Sequence, residues 1–211
     1  TGVQTCALPI WWKILALCFV VRVGLGFQFQ ALGSVADPLS HDLQLSFADV
    51  GNLIGLFMVP GLILSIPAGM AGRAVSDRLL VGGGLMLLAL GGALAAVADG
   101  FAFVAVGRML CGAGFVVSTI YFTKMTVDWF SGRELATAMA VLVMSWPFGI
   151  ALGQVVHSWL AAAHGWRLPF GVASLYCLAG AGLILLAYGT PPGATGAAAM
   201  APAALSLTRR E

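Results

Sequence analysis

Two arginines stand inside segments that are otherwise apolar. Arg108 lies in the run 101–122, about 12 Å from the turn at Asp99 at a rise of ~1.5 Å per residue, near the middle of a hydrocarbon core of ~30 Å. Arg22 comes nine residues after Lys13, about 13 Å from the opposite surface, so the two guanidinium groups approach one depth from two sides. A charge at the centre of a bilayer costs roughly 2.5–3.5 kcal/mol on insertion scales. Two cations at one depth call for something negative that visits or stays between them, and no Asp or Glu lies in the interior of any apolar segment. The pair suits passage of an anion or strongly polar solute, or a carboxylate supplied by a longer protein. The alternative is that both arginines pair with backbone carbonyls and water and hold helices together.

Helical spacing extends each arginine into a stripe. Arg22, Gly26, Phe29 and Gly33 fall on one face, as do Arg108, Gly112, Phe115 and Thr119. Gln30 lies about 80° from Arg22 and is the better cavity candidate, whereas Gln28 points away and suits a bond to a neighbouring helix. Trp146 and Gln154 offer an aromatic wall and a further polar group. Candidate substrate contacts are therefore Arg22, Gln30, Arg108, Thr119 and Trp146, with helix packing as the competing role for each.

The elements that must position these residues follow from hydropathy. Charged residues make up 9% of the chain and hydrophobic ones 60%, against roughly 25% charged in a soluble domain. Six apolar segments, near 14–35, 47–68, 79–98, 101–122, 135–160 and 168–188, each approach the ~20 residues of a membrane helix. The lipid bilayer demands that each backbone satisfy itself, which selects an all-α membrane protein. Lys13, Arg73, Arg78, Lys124, Arg133, Arg209 and Arg210 fall on one side and Arg167 alone on the other, which predicts that both ends are cytoplasmic, in an inner (plasma) membrane. The near-neutral net charge of +2 gives no footprint for a nucleic-acid partner. Cysteine spacing predicts neither a disulfide framework nor a metal site, and no cofactor is expected. Zinc-protease, nucleophile-elbow and phosphate-loop motifs are absent, so an enzyme is not expected.

Residues 1–10 (TGVQTCALPI) resemble a translated sequencing adapter and are set aside as a scar. The expected organisation is then a six-span bundle over 11–189 and the start of a low-complexity cytoplasmic connector over 190–211. The spans divide into two sets of three. Arg22 matches Arg108, Gly26 matches Gly112, and Pro60 and Pro147 follow the two arginines by 38 and 39 residues. Three spans per set make the second set inverted in the membrane. Each proline should kink the second span of its set. Gly51/Gly55 and Gly149/Gly153 read as helix-packing pairs, and His157 and His164 as interfacial.

These residues resemble the major facilitator superfamily over essentially all of 11–188. The stretch 69–78 is similar to its cytoplasmic loop signature: Gly69 matches the opening glycine and Arg78 the last basic position. Arg73 stands where an Asp is usual and Asp77 where a basic residue is usual, a salt bridge of exchanged polarity. Arg108, Gly112 and Gly114 fit the fourth-span pattern linked to coupling and substrate passage. Local stretches at 24–30, 123–130 and 145–147 are similar to the cyanate/nitrate-like branch. The resemblance implies the N-terminal half of a twelve-helix secondary transporter working by alternating access, partnered by a missing C-terminal six-helix half and a small, anionic or organic-acid substrate. Alternatives are a non-transporting membrane sensor or assembly protein on the same scaffold, and a multidrug-type exporter.

Overall fold

A computed structural model describes residues 9–130 and 134–189. Most of the adapter-like segment, Arg133 and the connector with Arg209 and Arg210 lie outside the described residues. The described residues are mainly helical, and six stretches among them are long and apolar enough to cross a membrane. In chain order the helices are α1 (Ile10–Ser34), α2 (Ala36–Asp42), α3 (Phe47–Leu56), α4 (Val59–Ala71), α5 (Asp77–Ala96), α6 (Phe101–Trp129), α7 (Leu135–His164) and α8 (Arg167–Ala187). Helix α2 has no counterpart among the predicted spans: it is short and polar, and hydropathy does not see it. The start of α3 is a capping box, with Asp49 N–H donating to Ser46 Oγ at 3.2 Å and Ser46 N–H to Asp49 Oδ2 at 2.9 Å.

Pro60 does more than bend the second span; the helix stops at Leu56 and restarts at Val59. Pro60 has no N–H to give the Leu56 carbonyl, so the chain tightens into three-residue bonds, Met58 N–H to Gly55 O at 2.9 Å and Gly61 N–H to Met58 O at 3.0 Å. Helix α7 carries Pro147 without interruption.

Packing bears out the two sets. Helix α1 lies on α7 and α8, the broken span α3–α4 lies on α6, and α5 lies on α6 and α8. Exchanging the first, second and third spans for the fourth, fifth and sixth leaves this list unchanged, the signature of a repeated three-span unit. Each repeat lends its proline-bearing span to the first span of the other. Those two spans are also the least buried of the six, with Leu62 86% exposed on α4 and Val155 70% exposed on α7.

Glycine lets the exchanged helices touch. A Cβ on Gly26 would lie 3.0 Å from Ile150 N, and one on Gly112 would lie 2.9 Å from the Phe57 carbonyl carbon and 3.2 Å from Pro60 Cδ. Gly149 and Gly153 press on α1 as their spacing predicts. Gly51 and Gly55 do not; a Cβ at either would meet nothing within 4 Å, because that face of α3 points away from the bundle. Gly114 packs on α5, beside Leu88 N, so the two motif glycines serve different neighbours.

Candidate substrate site

Both arginines are buried and both donate to backbone carbonyls, the alternative raised from sequence. Arg22 reaches α7, with Nη1 2.7 Å from Leu142 O and 2.9 Å from Ser145 Oγ. Arg108 donates from Nε to Leu53 O of α3 at 3.2 Å and from Nη1 to Phe29 O of α1 at 3.3 Å. In each case the first span of one repeat sends its cation to the span that carries the other repeat's proline. No carboxylate pairs with either arginine among the described residues.

Arg108 differs in its surroundings. Its guanidinium carbon lies 4.6 Å from the Phe57 ring centroid and 5.5 Å from that of Phe29. Cation–π contacts of this kind contribute about 0.5–2 kcal/mol each, against an insertion cost of roughly 2.5–3.5 kcal/mol. Rings and carbonyls together thus let a buried cation persist without a counter-ion. They still leave its Nη2 buried and without a hydrogen-bond partner, a donor with two protons and nothing to give them to. On Arg22 the unpartnered atom is Nε.

Around Arg108 the aromatic side chains close a circuit. Centroids are 5.1 Å apart from Phe29 to Phe57, 5.4 Å from Phe57 to Phe115, 4.7 Å from Phe115 to Trp146 and 5.3 Å from Trp146 back to Phe29. Phe57 is wholly buried, while the other three rings are half-buried. Sequence reasoning found Phe29, Phe115 and Trp146 but missed Phe57, although Leu53, Phe57 and Pro60 share one helical face.

The remaining predicted residues fall in separate places. Thr119 lies one turn beyond Phe115, its Oγ1 buried and unpartnered. Gln30 is not beside Arg22; it bonds to Gln154 and, at 3.4 Å, to Ser34, and Gln154 continues to Ser158 at 3.5 Å, a self-satisfied polar ladder between α1 and α7. Gln28 bonds to Cys111 Sγ on α6 at 3.4 Å, as its outward direction predicts. His157 is not interfacial: it is completely buried, 3.0 Å from Phe27 O, because the close approach permitted by Gly149 and Gly153 seals that seam. His164, at the last position of α7, is exposed.

At the predicted cytoplasmic end, the exchanged Arg73–Asp77 bridge does not form. Asp77 pairs instead with Lys124 of α6, which also meets Asp128 at 3.3 Å. Arg73 and Arg78 are exposed, and Gly69 has open space around it. The loop is further tied to α6 by Tyr121, whose hydroxyl donates to Ala68 O at 2.6 Å.

The family model described as Major Facilitator Superfamily matches residues 18–210. The chain is 29% identical over 160 residues to a gallate transporter of Pseudomonas putida, covering 74% of this chain and 35% of that protein. It is 31% identical to the uncharacterized MFS-type transporter YbcL of Bacillus subtilis (78% and 42% covered) and 25% identical to the hexuronate transporter of the same organism (75% and 38% covered). Among solved structures, a bacterial homolog to the human lysosomal transporter Spinster, inward-facing and unoccupied, superposes with a TM-score of 0.80 at 16% identity, over 88% of this chain and 44% of that one. The chain thus spans less than half the length of each of these proteins.

Proposed function

The chain belongs to the Major Facilitator Superfamily, and from that membership we propose that it forms one six-helix half of a secondary transporter for small organic acids. A second six-helix half covers the exposed faces of α4 and α7, and the two halves rock about a site between them. The protein sits in the plasma membrane with both ends of this chain cytoplasmic. The observation that carries the substrate charge is Arg108: a buried cation, held by two carbonyls and two rings, with no carboxylate partner among the described residues and one terminal nitrogen uncommitted. An incoming carboxylate meets there a donor whose desolvation cost is already met by the fold. The gallate and hexuronate transporters it resembles are both named for carboxylic acids, which supports the same charge.

The test is uptake of labelled gallate and glucuronate by membrane vesicles holding the full-length protein. Arg108→Ala should abolish uptake while the amount of inserted protein stays unchanged; undiminished uptake by that variant would sink the proposal. A sensor or assembly protein on this scaffold would show no flux of any acid even with Arg108 intact.

A further inference from the structure

We infer that the acid is aromatic, and that the circuit of Phe29, Phe57, Phe115 and Trp146 binds its ring while Arg108 takes its carboxylate. This rests on the anionic reading above and adds the chemistry of the other end of the molecule. The four rings come from α1, the α3–α4 break, α6 and α7, so the circuit sits where the two repeats meet. It exists because Gly26 and Gly112 bring the exchanged helices into backbone contact on either side of it.

Its interplanar angles run from 43° to 75°. Tilted rings present faces and edges at an angle, and a further flat ring adds to such a cluster in the offset or edge-on geometries that aromatic pairs favour. Three of the four rings keep accessible surface to offer. Arg108 is buried against Phe57 and Phe29, and Phe29 is itself half-buried, so the cation adjoins a ring that keeps accessible surface. A ligand with its charge on a flat ring matches this division.

A sugar acid does not match. Its hydroxyl groups lose water on entry and need donors and acceptors in return. The circuit supplies none beyond the Trp146 indole N–H, and the polar ladder of Gln30, Ser34 and Gln154 is already bonded to itself. Of the unpartnered polar atoms near the rings, Gln28 Oε1 and Ser118 Oγ belong to side chains that abut Gly92 and Gly84 of α5; Thr119 Oγ1, one turn from Phe115, is left, enough for one ring hydroxyl and too little for a polyol. A saturated acid fits by size but forgoes the ring electrostatics.

The deciding experiment measures binding of benzoate, cyclohexanecarboxylate and glucuronate to the full-length purified protein by calorimetry. Benzoate should bind at least about tenfold more tightly than either of the others. Trp146→Leu should remove that preference, and Trp146→Phe, which keeps a ring, should restore it. If Trp146→Leu does not insert, the three-ligand comparison on the unaltered protein still decides. Glucuronate or cyclohexanecarboxylate binding as tightly as benzoate, with Arg108→Ala abolishing all three, overturns the aromatic inference and leaves the organic-acid reading standing. Failure of every acid to bind, or binding indifferent to Arg108→Ala, overturns the organic-acid reading itself.

Discussion

Arg22 and Arg108 occupy equivalent places in the two repeats, and what surrounds them has diverged. Arg22 donates to one helix, α7, and acts within a single seam. Arg108 donates to both α1 and α3 and lies beneath aromatic rings, at a junction of three elements. The span opposite Arg22 runs unbroken through Pro147; the span opposite Arg108 is cut at Pro60, and Phe57 hangs at the cut. On the function proposed above, one position of the repeat serves as a brace and the other as the cation that meets the ligand. The packing repeats between the two sets, while the surroundings of the arginine do not: both Phe29 and Phe115 of the repeated pattern gather with Phe57 at Arg108.

The sharpest way to break this asymmetry is to remove each cation in turn. Arg108→Ala should weaken acid binding by more than about 100-fold, the scale of losing one partner of a desolvated charge pair. Arg22→Ala should leave the affinity within a few-fold of the parent and instead lower resistance to thermal unfolding, because Ser145 already donates to the Leu142 carbonyl at 2.6 Å. Equal losses of affinity in the two variants would end the distinction. Arg108→Lys refines it: a lysine keeps the charge but not the fork that serves two carbonyls and a ligand together, so it should recover little.

Next in size are the glycines, where the repeats should behave alike. Gly26→Ala and Gly112→Ala each force a methyl against backbone at 3.0 and 2.9 Å, and overpacking of that kind costs about 1–3 kcal/mol. Unfolding of the two variants in detergent should show similar losses. A large loss at one and none at the other would mean that the symmetric packing is not shared. The prolines should separate again: Pro60→Ala restores an N–H to the Leu56 carbonyl and draws Phe57 out of the ring circuit, so it should change acid affinity, whereas Pro147→Ala should change it less.

How far the sequence carries this picture depends on whether a feature is local. The six spans, the prolines and the paired arginines were legible because hydropathy, backbone chemistry and charge act along the chain. The seams occupied by Gly149 and Gly153 were legible for the same reason. Gly51 and Gly55 carry the same spacing and pack on nothing, since spacing records that close approach is possible and says nothing of what approaches. Phe57 was not singled out, and the ring circuit as a whole was invisible, because it assembles residues from four elements. His157 was misjudged because its position near a span end suggested water, while the glycine seam beside it excludes water. The resemblance to the family's loop signature pairs Asp77 with Arg73 by exchanging their charges, and the fold offers Lys124 instead.

At the ends of the spans the two repeats differ again, and there the effects are smallest. Asp77, the first residue of α5, closes the loop after the first repeat's broken span onto Lys124 of α6. Arg167, the first residue of α8, closes the equivalent loop of the second repeat onto Asp42 at 3.1 Å and Asp99 at 3.6 Å. The latches have opposite polarity, and only Asp77 is favoured by its helix N-terminus. Lys124, 48% exposed in its side chain, should lose about 0.2–1 kcal/mol on Lys124→Ala, and less in high salt.

Asp42 adds a pH signature. The Trp166 indole N–H, 2.9 Å away, and then Arg167 hold its carboxyl below the usual carboxylate range. A carboxyl whose pKa is lowered by folding contributes fully above its unfolded value of about 3.9, and that contribution is lost as pH falls through the lower folded value. Unfolding measured from pH 6 down to pH 3 should therefore show an acid-side loss of stability that Asp42→Asn flattens, while Lys124→Ala leaves that slope unchanged. If both variants flatten it equally, the two latches share one titrating network and the division between the repeats does not reach the membrane surfaces.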